Sequence, residues 1–233
     1  MFARHTLDGN HEPASRLPPD DVIPGHHRGA EQFLTILRLF NVPVTHFAPQ
    51  RKRDTELQNA LARLGAGHLQ ESDDALPSEL LEEVGNVVWE ALVTADSPRH
   101  LTALAPVLVR NVDRVSLEKL RVRFREAGIE RRLGWLIENI LVALRQELAS
   151  DLPRKWVQKY QRAELVLGAL TTLEQPDRGD RITPDLLDAD ILSKKTLEEV
   201  TASRSKISRR WGIATSIAPE DFVEALRASR GAR

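Results

Sequence analysis

The apolar positions of this chain recur with a helical period almost throughout. Phe33, Ile36, Leu37 and Phe40 fall at i, i+3, i+4 and i+7, one face of a helix. Val42-Pro43 ends that pattern, because a residue before proline is pushed out of the α region. An extended piece over 42–47 and a basic loop over 49–53 are expected next. Asp54 is the expected cap of a helix carrying Leu57, Leu61 and Leu64, with its stop at Gly65 or Gly67.

The pattern then broadens. Ser78 is expected to cap a buried helix bearing Leu80, Leu81, Val84, Val87, Val88, Ala91 and Leu92. Glu79, Glu82, Glu83 and Glu90 fall on its opposite, solvent face. Ser97-Pro98 reads as a cap followed by an N1 proline, and Pro106 as a kink within the helix it opens. Ser116 caps a helix with Leu117, Leu120, Phe124 and Ala127 inward and Gly128 as its stop. The strongest periodicity runs from Ile129 to Ala149 and predicts a central helix. Pro153 opens another, with Trp156, Tyr160, Ala163, Leu167 and Leu170 on one side. Beyond a hydrophilic linker at 175–180, short helices are expected over 184–191, 196–210 and 219–228.

The expected fold class is mainly α, a multi-helix bundle. Residues 1–27, rich in proline and poor in apolar side chains, read as a disordered leader that cannot offset the entropy of ordering. Residues 28–69 form a small N-terminal helical segment, 70–175 the central helical domain, and 176–233 a small helical C-terminal appendage.

Composition narrows the class. The 233 residues hold no cysteine, which excludes a disulfide scaffold and a thiolate metal site and fits a cytoplasmic protein. Charges interrupt every apolar run short of the ~18 residues that a membrane span needs, so no membrane partner is expected. Met1 to Asp8 has no apolar stretch of a secretory signal. His5, His11, His26 and His27 lie in the leader and read as solvated. His46, His68 and His100 have no metal-spaced neighbour, and His100 reads as a surface residue. No nucleotide loop, zinc motif or nucleophile elbow is present, so no catalytic residue, metal or cofactor is expected and the chain is read as a non-enzyme.

The formal net charge of −1 hides segregation. Residues 67–100 carry eight acids and one base; 110–162 carry thirteen bases and seven acids; 194–210 carry six bases and two acids. Lys119, Arg121, Arg123 and Arg125 place like charges at i,i+4, which needs acidic compensation from the 79–90 segment or from a partner such as DNA or an acidic protein. Arg204, Lys206, Arg209 and Arg210, after a turn around Ala202-Ser203, suggest a helix-turn-helix. The near-neutral total argues against a non-specific nucleic-acid coater.

Within residues 88–138, three consecutive features carry a family likeness. They are Trp89-Glu90-Ala91-Leu92-Val93, then Val115 to Gly128, then Arg131-Arg132-Leu133-Gly134-Trp135-Leu136-Ile137-Glu138. In the last of these, Gly134 would admit a close helix and Trp135 would bury a large area, with both arginines outward. The stretch resembles the C-terminal domain of AbiEi-type antitoxins of type IV toxin–antitoxin systems. The family's N-terminal winged helix-turn-helix has no clear counterpart in 28–69. The resemblance implies toxin neutralisation and transcription regulation.

The resulting expectation is a binding protein, antitoxin-like or transcription-regulatory. Its expected partners are operator DNA and a cognate toxin or other protein subunit. Contact would run through Lys119, Arg121, Arg123, Arg125, Arg131, Arg132, Arg204, Lys206, Arg209 and Arg210. The alternative is a helical subunit or adaptor of a larger assembly that reads no DNA sequence.

Overall fold

A computed structural model describes residues 50–72, 77–95, 97–169, 183–187 and 193–231. The leader, the 33–40 helix, the extended piece at 42–47, the linker and His46 lie outside the described residues. Residues from Thr45 onward make one unit, and everything below concerns it.

Nine α-helices occur among the described residues: α1 Gln50–Leu64, α2 Val84–Thr94, α3 Pro98–Asn111, α4 Leu117–Glu126, α5 Glu130–Leu148, α6 Arg154–Gly168, α7 Lys194–Ser203, α8 Lys206–Trp211 and α9 Pro219–Gly231. The mainly helical class is as expected. The basic stretch expected as a loop is the first turn of α1, so Asp54 lies inside that helix. Gly65 stops it at φ 133°, a backbone that only glycine adopts without strain. Asn111 Nδ2 donates to Leu64 O at 2.6 Å and so satisfies a carbonyl of the last turn of α1.

The expected helix from Ser78 is broken. Glu79–Glu82 is a 3₁₀ turn, Glu83 is extended, and α2 begins only at Val84. The tighter turn swings Leu80 outward, leaving it 53% exposed, whereas Leu81 is buried. Glu90 departs the other way. It is 1% exposed, because α2 is enclosed by α1, α3 and α4. His100, expected at the surface, is also buried.

Further on, Ser116 accepts from Lys119 N as the cap of α4, and Gly128 follows it at φ 71°. The long α5 forms the spine, packed by α4, α6, α8 and α9. Asp185–Leu186 is a strand, β1, and not part of a helix. It pairs in parallel with Ile213–Ala214. The expected single helix over 196–210 is two, separated at Arg204-Ser205, with Ser205 capping α8.

The core runs across the expected boundary at 175/176. Phe222, Val223 and Leu226 of α9 join the same cluster as Leu101, Leu104, Leu136 and Ile140. Glu147, fully buried on α5, faces Arg227 Nε at 2.8 Å and also pairs with Arg230, fixing the register of α9.

Candidate interaction surface

The ten basic residues expected to face a partner meet different fates. Arg121 and Arg125 both turn to Glu130, at 3.4 Å and 3.1 Å. This acid, at the N-terminus of α5, compensates the like-charged face of α4. Arg123 crosses to α2. Its guanidinium stacks 4.2 Å from the centre of the Trp89 ring and donates to Asn86 Oδ1 at 2.8 Å. Burial pulls its pKa below the usual arginine range, and Glu83 and Glu90 partly restore it. The 79–90 segment thus supplies part of the expected compensation, on Arg123. Lys119 is exposed.

Arg132 was expected to point outward and does not. Its guanidinium grips Asp185 with two hydrogen bonds, Nη2–Oδ1 at 2.6 Å and Nε–Oδ2 at 2.8 Å. Its Nη1 donates to Leu92 O at 2.6 Å and Val93 O at 3.2 Å, satisfying carbonyls at the end of α2. Arginine's planar fork suits this task, in which one side chain joins α5, α2 and β1. Arg131 is half-buried, and its Nη1 is enclosed with no hydrogen-bond acceptor among the described residues.

The remaining members of 131–138 hold the C-terminal part of the chain. Gly134 lies under the indole of Trp211. Trp135 is fully buried, stacks edge-on with Phe222 at 5.7 Å, and donates from Nε1 to Ser208 Oγ at 3.0 Å. Glu138 accepts from Trp211 Nε1 at 2.7 Å and pairs with Arg210. The signature is therefore a seat for α8, α9 and β1.

That seat consumes the basic helix expected to read DNA. The α8 helix is six residues long and buries Ile207, Ser208 and Trp211. Arg210 is tied to Glu138, and Arg209 donates to Ala202 O at 3.2 Å. Arg204 is half-buried, and Lys206 and Arg209 are exposed.

Two other features escaped the sequence pattern. One is an open cleft of about 460 Å³ between the N-terminal ends of α3 and α9, lined by His68, Arg99, Thr102, Asp221 and Glu224 among others. His68 Nδ1 shares a hydrogen bond with Ser229 Oγ at 2.9 Å, and burial and Arg99 hold its pKa below the usual histidine range. Asp221 is occupied in accepting from Ala218 N. The other is a basic face where α3 meets α6. Lys155 and Lys159 there flank Trp156, with Nζ atoms 5.9 and 5.4 Å from the ring centre. The cleft could not be found from spacing, since it joins residues distant in sequence.

Among the described residues no group of three or more His, Asp or Glu could hold a metal ion. No described helix is long and apolar enough to cross a membrane. No family model matches the chain, and no curated protein or solved structure is significantly similar to it.

Proposed function

We propose that this chain is a non-enzymatic helical subunit or adaptor of a larger protein assembly. One observation carries the reading: the arginines best placed to meet DNA are committed to the fold. Arg132 holds Asp185, Arg210 holds Glu138, and Arg121 and Arg125 share Glu130. Freeing Arg132 or Arg210 for phosphate, or Arg121 and Arg125 together, would strip a carboxylate of its cation and loosen the element it secures. An antitoxin-like or promoter-binding role would rest on Lys119, Lys206 and Arg209, three exposed cations on two helices and a smaller footprint than the sequence promised.

Native co-purification of the full chain at about 150 mM salt, a Debye length of about 8 Å, tests the proposal. A protein component retained in fixed ratio supports the assembly reading. A chain that elutes without protein partners and prefers a duplex from its own upstream region over a scrambled one contradicts it.

A further inference from the structure

The positive charge that the fold leaves uncommitted lies on a surface the sequence did not single out. Arg110 closes the last turn of α3, and Lys155 and Lys159 stand one turn apart on α6, which packs on α3. Burial and the charge of Arg110 hold the Lys159 ammonium below its usual range. Among the described residues no carboxylate pairs with Arg110, Lys155 or Lys159, whereas Arg162 on the next turn is bound by Asp113 at 2.7 Å. Trp156 gives this basic face an apolar floor.

Its complement is on the same chain. The 3₁₀ turn Glu79–Glu82 brings the two glutamates to one edge, since three residues complete a turn. Both are exposed, and no cation pairs with either among the described residues. Leu80, 53% exposed, stands beside them as an apolar knob. The two surfaces have opposite charge and each includes an apolar group. A net charge of −1 leaves little long-range repulsion between copies.

We infer that the basic face of α3 and α6 on one copy docks the Glu79–Glu82 turn of a second copy, head to tail. This rests on the assembly reading above and names a partner for it. Repeated head to tail, the contact is heterologous and yields a ring or a filament. A nucleic acid would engage the basic face alone and leave the acidic turn and Leu80 without a role. A second copy uses both.

Sedimentation velocity on the full chain, from about 5 to 300 µM and at about 50 and 500 mM salt, tests this. The expected result is concentration-dependent growth beyond the monomer at low salt, lost at high salt. Lys155→Glu with Lys159→Glu, and separately Glu79→Lys with Glu82→Lys, each weaken self-association by roughly tenfold or more. Mixing the two double variants restores a complex, because each retains the face the other lacks. That recovery also shows that both variants fold. A wild-type monomer at every concentration overturns the inference, while the assembly reading is still decided by co-purification. Self-association that neither variant weakens, or failure of the mixture to associate, also overturns it. So does a monomer that binds a duplex through Lys155 and Lys159.

Discussion

A Cβ placed on Gly134 would lie 2.2 Å from Cη2 of Trp211 and 2.3 Å from its Cζ3. The indole has little room to yield. It is 4% exposed, and its Nε1 is held by Glu138. Gly134→Ala is therefore expected to destabilise the fold by about 1–3 kcal/mol, the usual cost of overpacking a core. Trp211→Ala, which leaves a cavity, is expected to cost about 3–5 kcal/mol. The two are not additive: Gly134→Ala becomes nearly neutral in the Trp211→Ala background, because the clash is gone. Urea unfolding of the four proteins of this cycle checks the relationship, and additive losses would contradict it.

That contact also shows how far the sequence can be read. The 3.6-residue period over 129–149 marks α5 correctly, and Gly134 followed by Trp135 correctly signals a close approach and a large burial. What approaches is not legible, since Trp211 and Ser208 lie 73 or more residues away. The same distance hides the true direction of Arg132, whose partner Asp185 is 53 residues on. Local pattern misleads at Leu80, because a 3₁₀ turn rotates it off the stripe that an α-helix would have given it. Glu90 defeats the polarity rule through enclosure by three helices. The two-residue strand at 185–186 has no periodicity to detect, for it exists only by pairing with 213–214.

Arg132 and Asp185 are both largely buried, with side chains 15% and 17% exposed. Arg132→Gln is expected to cost about 1.5–3 kcal/mol, the range for hydrogen bonds to charged groups. Arg132→Lys recovers only part of this, because an ammonium cannot span a bidentate carboxylate and two carbonyls together. Thermal unfolding of the two variants gives the order wild type, lysine, glutamine. Equal midpoints for all three would show that the side chain secures nothing.

Glu147 is buried while Arg227 remains half in solvent. Removing the two arginines strands a fully buried carboxylate; removing the carboxylate lets Arg227 return to water and leaves Arg230, 19% exposed, over the Tyr160 ring. Arg227→Ala with Arg230→Ala is thus expected to cost about 3–5 kcal/mol, and Glu147→Gln distinctly less. Denaturant midpoints that reverse this order would contradict the described pairing of α5 with α9.

The depressed pKa of His68 makes a signed prediction for pH. The unfolded chain takes up its proton near pH 6.5, and the folded chain only at lower pH. The contribution to stability is whole above about pH 6.5 and is lost as pH falls from there toward the folded pKa. His68→Asn removes this component and flattens the fall below about pH 6.5. Melting temperatures of the two proteins that decline in parallel over that range would rule out His68 as a source.

The reading of the arginines as structural meets its most direct test in a titration of labelled duplex. Wild type and Arg209→Glu with Arg210→Glu are compared, over about 50–300 mM salt. Arg210 paired to Glu138 and Arg209 turned to Ala202 predict weak binding with no sequence preference. They also predict a similar salt slope for both proteins and a lower melting temperature for the variant. Tight, sequence-preferring binding by wild type that the variant loses, with a shallower salt slope and an unchanged melting temperature, would contradict it.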